Sequence, residues 1–340
     1  MFRTTSPVTL FTGQWVDLPL EEVARRAAQW GYDGLEIACS GEHLDVWRAS
    51  EDPRYLNDRL DILKRHGLQV RAISNHLAGQ AVCDDPIDFR HKNILRGRVW
   101  GDGQSEGVRQ RAAQEMKLTA QVARQLGVDT VVGFTGSSVW QYVAMFPPVP
   151  ETVIEQGYED FARRWNPILD VFDQEGVRFA HEVHPGEIAY DYWTSQRTLQ
   201  ALDHRKAFGF NWDPSHMLWQ GLDPVGFITD FSDRIYHVDC KDTRLRRGNG
   251  RSGLLGSHLP WGDPRRSWDF VSTGHGDVPW EDAFRALRSI GYQGPISIEW
   301  EDAGMDREHG AAEAVNFIRS LLWKLPESRF DAAFSTNSAA

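Results

Sequence analysis

Glu182 and His184 stand two residues apart in the run His181-Glu182-Val183-His184-Pro185-Gly186-Glu187, directly after the apolar stretch Val177 to Ala180. On a β-strand, side chains two apart share a face, so this carboxylate and imidazole point the same way from the strand's C-terminal end. Such groups are costly when buried without partners. They are therefore either salt-bridged structure or holders of a metal or a substrate, and Glu187 reaches either substrate or solvent. Polar side chains stand at the ends of other apolar runs as well: Glu36, His76, Asp213, His216, His237, Asp239, Lys241 and Glu299. Any one of them has a bland explanation as an ion-pair partner or a hydrogen-bonded structural residue. All of them at one mouth do not. Carboxylates converging on a confined site repel one another unless a cation compensates. Carboxylates with one or two imidazoles and no thiolate suit a hard or borderline divalent cation, Mn²⁺ before Mg²⁺, with Zn²⁺ also compatible. Such a cation holds the carbonyl and hydroxyl oxygens of a sugar and polarises the carbonyl. A flanking carboxylate or histidine then removes the proton from the adjacent carbon.

Bringing these residues together requires a particular order of elements. Apolar runs read as strands at Val8 to Phe11, Asp33 to Ala38, Gln69 to Ser74, Thr130 to Phe134, the stretch from Val177, Phe208 to Trp212, Arg234 to Val238 and Pro295 to Glu299. Helical patterns alternate with them: Leu20 to Trp30, Tyr55 to His66, Val108 to Leu126, Phe161 to Glu175, Ser195 to Leu202 (Ser195 as N-cap), Pro224 to Phe231, Trp280 to Ser289 and Gly310 to Trp323. Strict alternation implies parallel strands with crossover helices. Eight such units predict a (β/α)8 TIM barrel, whose active site lies at the C-terminal ends of the strands. A glycine-rich dinucleotide fingerprint after the first strand is absent. The expected organisation is a single barrel domain over 1–326 and a C-terminal tail over 327–340. Two long loops, Ala78 to Gly107 and Thr243 to Asp277, follow the third and seventh strands and are expected to be unstructured lids or binding loops.

Composition narrows the partners. A formal net charge of -11 leaves no surplus of Lys and Arg for nucleic acid or an anionic membrane. Three widely spaced cysteines form no zinc or disulfide pattern, which suits a reducing cytoplasm. No run approaches a membrane span. Fourteen tryptophans are unusual; they suit a sugar-binding cleft, though they also serve cores and interfaces.

Four strand ends carry a resemblance: Glu182 in His-Glu-Val-His-Pro, Asp213 in Asn-Trp-Asp-Pro-Ser-His, the His237-Val-Asp-Cys-Lys-Asp242 run, and Glu299 in Ser-Ile-Glu-Trp-Glu. With Thr273-Gly-His-Gly-Asp277 ahead of Pro279-Trp280, the set resembles the sugar phosphate isomerase/epimerase superfamily, the xylose-isomerase-like barrels. The resemblance implies Glu182, Asp213, Asp239 and Glu299 as metal ligands, with the two glutamates also serving as acid/base groups. It puts His216 on substrate, and Glu36, His76, His237 and Lys241 are taken with it as substrate contacts. The seventh strand departs from the family pattern: Asp239 stands where a ligand histidine is usual. The order of the motif favours Asp239 as fourth ligand, whereas site charge favours His237. The long loop after the seventh strand, His184, His275 and the tryptophans further resemble the catalytic α subunits of C-glycoside deglycosidases. That likeness implies a 3-oxo-glycoside substrate, enolisation and β-elimination, His184 or His275 as proton-transfer partner, and a small β subunit or a homo-oligomer. A ketose isomerase or epimerase is the alternative.

Overall fold

The eight apolar runs close on themselves. In the computed structural model, which describes residues 6–143, 146–246 and 250–323, β1 (Val8–Phe11), β2 (Gly34–Ala38), β3 (Gln69–Ser74), β4 (Thr130–Gly133), β5 (Arg178–Glu182), β6 (Phe208–Trp212), β7 (Ile235–Cys240) and β10 (Ile296–Ile298) form a closed barrel in the order β1-β10-β7-β6-β5-β4-β3-β2. Every described pairing within it is parallel. The fold class expected from strand–helix alternation is therefore observed. The boundary at 326 and the tail 327–340 lie outside the described residues.

The strands are buried on both faces, the pattern of a parallel sheet clad in helices. Their outward side chains meet the helices in a core that includes the fully buried Trp15, Phe161, Trp165, Phe172, Phe179, Phe208, Phe210 and Trp212. Four other residues, Ala72, Val132, Ala180 and Tyr236, form a separate small apolar cluster. Ala180 shares a strand face with Glu182, so this cluster floors the barrel beneath the polar residues. Gly209 makes room for it: a Cβ there would lie 2.4 Å from the Tyr236 ring.

Several helices start earlier than their hydrophobic periodicity suggests, because side-chain caps precede the first apolar residue. The helix expected from Ser195 spans Tyr192–Ala201, and its cap is Asp191, in a reciprocal capping box with Thr194, not Ser195. Asp52 and Asp306 likewise cap Pro53–Arg65 and Arg307–Leu321. The helix expected from Phe161 begins at Glu151 and carries Pro167 inside it.

The two long loops are structured, contrary to expectation. After β3, short helices His76–Gln80, Phe89–Ile94 and Gly97–Trp100 pack the excursion onto the barrel. After β7, an antiparallel hairpin of β8 (Asp242–Leu245) and β9 (Trp268–Val271) carries the aromatic residues Trp268 and Phe270. Among the described residues no helix is long and apolar enough to cross a membrane.

Candidate active site

Parallel register places the polar strand ends in one layer. Glu182 on β5 pairs with Asn211 on β6, and Asn211 with His237 on β7. Asp239 pairs with Ser297 on β10. Register shifts fall at Leu35/Glu36 and Phe210/Asn211, within this layer; such irregularities re-aim side chains beside active sites. The Pro214–Gln220 helix begins directly after β6 because Asp213 caps it, accepting hydrogen bonds from the Ser215 backbone N–H (2.8 Å) and hydroxyl (2.7 Å) through Oδ1. One turn on, His216 is brought back over the mouth.

Lys241 is the hub. Its Nζ lies 2.9 Å from Glu299 Oε2, 3.0 Å from Asp213 Oδ2 and 4.0 Å from Glu182 Oε1, and all four side chains are buried. Glu182 accepts a hydrogen bond from His76 Nε2 at 2.9 Å, and its other oxygen lies 3.2 Å from His216 Nε2. Deeper, His237 Nε2 bonds Glu36 Oε2 at 2.7 Å, and Ser74 donates to the other Glu36 oxygen. Asp239 takes Asn211 Nδ2 at 2.7 Å on Oδ2, while its Oδ1 is buried without a hydrogen-bond partner. The ring of His184 lies 4.0 Å from that of His216 and 4.9 Å from Phe134. Its Nδ1 is 2.5 Å from the Pro185 carbonyl, so Nδ1 carries the proton and Nε2 is left as an acceptor.

Ten of the eleven expected site residues thus come together. His275 does not: it is exposed, and its Nε2 bonds Glu313 on the last helix at 3.0 Å. Glu187 does not reach solvent. It is buried, with Oε2 accepting from the Thr135 and Gly136 N–H groups at 2.7 Å each and Oε1 unpartnered. Three contributors were not anticipated. Asn211 shares a strand face with Asp213, a signal present in Asn-Trp-Asp. Gln14, which donates to Glu299 at 2.7 Å, sits in a 3-10 turn after β1 and leaves no periodic trace. Phe270 reaches the site only through the hairpin.

The electrostatics are those of crowded carboxylates. Burial would raise Glu36, but the charge and hydrogen bond of His237, with Ser297 and Ser74, hold it down to about 2. Burial would lower His237, but Glu36 and Asp239 push it up to about 10. That pair is ionised. Burial raises Asp213 to about 7 against the pull of Lys241, and burial with the Glu36 charge raises Asp239 to about 6. Burial also lifts Glu299 well above the carboxylate range against the pull of Lys241. Glu182 goes the other way: its hydrogen bonds to His216 and His76 and the Lys241 charge outweigh burial. Burial pushes His184 down to about 4, so it is neutral.

The residues fit a divalent cation. Donor oxygens of Glu182, Asp239 and Glu299 lie within 4.8 Å of one another, and Asp239 Oδ1 is buried without a hydrogen bond, 3.5 Å from His237 Nε2. An all-oxygen set of this kind suits a hard ion.

Comparison with known proteins agrees with this architecture. A family model described as xylose isomerase-like TIM barrel matches residues 24–321. YfiH, an uncharacterised protein of Bacillus subtilis, is 25% identical over 324 residues, 90% of this chain and 96% of its own. An inosose dehydratase of Clostridium perfringens is 20% identical over 147 residues, 43% of this chain and 48% of that enzyme, so the match spans about half of that relative. Among solved structures, the 3-keto-D-glucoside 4-epimerase YcjR of E. coli superposes with a TM-score of 0.65 at 15% identity, covering 93% of this chain and 99% of that one. At that identity the likeness is one of fold.

Proposed function

The chain belongs to the xylose isomerase-like TIM barrel family, and from that premise we propose that it is a divalent-metal-dependent enzyme acting on keto-sugars, most specifically a lyase for 3-oxo-glycosides. The observation that carries this reading is the convergence of four buried carboxylates at a barrel mouth: Glu182, Asp213 and Glu299 around the Lys241 ammonium, and Asp239 with a donor oxygen within 4.8 Å of those of Glu182 and Glu299. Nothing in a merely structural site calls for that surplus of negative charge. Asp239 is the fourth ligand in this reading, because His237 Nε2 is already committed to Glu36.

A divalent cation, Mn²⁺ before Mg²⁺ or Zn²⁺, held by these four side chains would supply Lewis-acid polarisation of the sugar ketone. The remaining steps fall to the chain. His76 and His216 fix Glu182 in its ionised form and orientation. His184 presents an unprotonated Nε2 and accepts the proton from carbon 2, beside the ketone on carbon 3. The electron pair of that C–H bond becomes the carbon 1–carbon 2 double bond, and the pair of the bond from carbon 1 to the aglycone leaves with the aglycone. His184 then returns its proton to the departing group, so charge and atoms balance whether the bond broken is C–O or C–C. Lys241, whose carboxylates Asp213 and Glu299 would also serve the cation, would be the group free to hold a sugar oxygen.

A second reading, a ketose or keto-sugar epimerase, uses Glu182 and Glu299 as proton carriers on opposite faces. The dehydratase and epimerase names among the relatives fit one reading each. The test is Mn²⁺-loaded enzyme with an aryl 3-oxo-glucoside in D₂O, followed by NMR and aglycone absorbance. Aglycone release that His184→Gln abolishes is the expected result. Deuterium at carbon 2 with a new epimer and no release selects the second reading, and neither exchange nor release overturns both. The small second subunit or second copy that this reading allows would need exposed apolar side chains, of which Phe89 and Phe146, 74% and 90% accessible, are examples. Sedimentation with and without the candidate partner checks that.

A further inference from the structure

The hairpin after β7 carries an aromatic ladder that begins at the site and ends in solvent. The Phe270 ring centre lies 5.1 Å from Lys241 Nζ and 5.2 Å from the His216 ring, so it forms the wall on that side of the carboxylate cluster. Trp261 lies 5.2 Å further along at an interplanar angle of 31° and remains 56% exposed, unusual for so large an apolar ring. Its position is fixed from behind. The Arg266 guanidinium sits 4.1 Å from its ring centre, Trp268 meets it edge-on at 5.4 Å, and Trp268 itself stacks on Trp219 at 4.4 Å and 3°. The hairpin register, Thr243 opposite Phe270, ties the ladder to β7 two residues after Lys241.

We propose that Phe270 and Trp261 form a subsite for an aromatic ring one unit beyond the sugar, the aglycone of an aryl glycoside. This rests on the reading above for where the sugar ring sits. With the keto-sugar on Lys241 and the carboxylates, the substituent on carbon 1 has to leave the mouth along some wall. The Phe270 wall touches both Lys241 and His216 and continues outward as a second ring. An aromatic ring satisfies it through offset or edge contacts, whereas a free monosaccharide leaves Trp261 unused. A rival place exists among the segments that follow β4 and β5, a cavity of about 380 Å³ lined by Trp140, Tyr158, Tyr190, Trp193 and Arg197 among others. Its described ring contacts run from Trp140 to Tyr190 and from Arg197 to Tyr158, not to the carboxylate cluster.

The experiment compares phenyl with methyl β-D-glucoside on the full-length Mn²⁺-loaded protein, by calorimetric binding, and the corresponding 3-oxo-glucosides by kcat/KM. The wild type is expected to favour the phenyl compounds. Phe270→Ala and Trp261→Ala are each expected to lower the phenyl-to-methyl ratio roughly three- to tenfold. Trp261→Phe should retain part of the preference, and Trp193→Ala should leave the ratio as it is. A wild-type ratio near one, a ratio insensitive to both ladder substitutions, or a ratio lost in Trp193→Ala overturns the proposal. Circular dichroism melts identify a variant that fails to fold, in which case Trp261→Phe and Phe270→Leu decide. Phenyl preference in binding without any turnover sinks the lyase reading and leaves the subsite standing. Turnover without phenyl preference does the reverse.

Discussion

Asp239 and Asp242 lie in one short run, both completely buried, and they are treated in opposite ways. Asp242 accepts five N–H donors: Thr243 and Val278 on Oδ1, and Gly274, Gly276 and the Trp280 indole on Oδ2. Its charge is spread over neutral dipoles that fix the loop ahead of the Trp280–Ser289 helix. Gly276 is required there, because a Cβ would stand 2.1 Å from Asp242 Oδ1. Asp239 has one amide donor, one oxygen without a hydrogen bond that lies 3.5 Å from the His237 imidazole already bonded to Glu36, and Glu36, Glu182 and Glu299 nearby. A buried carboxylate that collects N–H donors organises backbone; one left short of donors among its own kind waits for a cation. Burial alone does not separate the two, but the donor inventory does.

The largest effects should divide along that line. Glu182→Ala and Glu299→Ala are expected to lower turnover by about 10²–10⁴-fold, with urea unfolding close to wild type. Asp242→Ala strands several buried N–H donors at once and should destabilise the fold by about 3–5 kcal/mol. Paired urea titrations and initial rates measure both. An Asp242→Ala protein that unfolds like wild type, or a Glu299→Ala protein that is active but unstable, would break the comparison.

Glu187 is the third way to keep a carboxyl group buried. One oxygen has its donors, the other has none, no cation is in contact, and burial with the Asp84 charge raises it to about 8. It takes a proton instead. A folded pKa above the unfolded value near 4.3 means that the native state binds more protons between the two. The stabilising contribution is therefore complete below about pH 4 and is lost as pH rises towards 8. Wild type is expected to lose on the order of 3 kcal/mol relative to Glu187→Gln between pH 5 and 8. Matched melts of the two proteins across that range test the sign, and parallel curves would refute it.

Lys241 sharpens the contrast from the cation side. With no divalent ion, its ammonium is what holds Asp213 and Glu299 together. Mn²⁺ at a hundredfold its Kd should stabilise the wild type by about 2.7 kcal/mol. Lys241→Met should be less stable than wild type in EDTA, and Mn²⁺ should restore most of the difference. Thermal melts with and without metal read this directly. A Lys241→Met protein that gains no more from Mn²⁺ than the wild type does would show that the ammonium and the metal do not share these carboxylates.

Much of this arrangement was legible in the chain. Strand–helix alternation gives the barrel, because period and order are local properties that the closed sheet simply obeys. Strand-end position gives Glu36, His76, Glu182, Asp213, His237, Asp239, Lys241 and Glu299, because a parallel barrel must bring such ends to one mouth. What fails is whatever depends on a loop's own path. Residues 243–277 carry no clean two-residue alternation, since Trp268 packs on Trp219 and Trp261, and Phe270 on Trp261 and on His216 at the mouth. The hairpin was therefore invisible. Gln14 and Ser195 fail for smaller reasons: a single turn has no period, and Asp191 is the better cap.

His275 supplies the smallest test and the cleanest one. The likeness to deglycosidase α subunits pointed to proton transfer by His275, yet the loop that Asp242 organises turns it outward. Gly274 has φ of 98°, a left-handed conformation that suits glycine, and the next side chain swings away to Glu313. An exposed ion pair of this kind is worth about 0–1 kcal/mol. His275→Ala should therefore shift unfolding by less than about 1 kcal/mol and leave aglycone release within roughly twofold of wild type, about 0.4 kcal/mol in barrier height. A hundredfold loss of rate would mean that the loop closes over bound sugar and carries His275 to the cluster. Asp242 would then be the anchor of a moving segment and not of a fixed one.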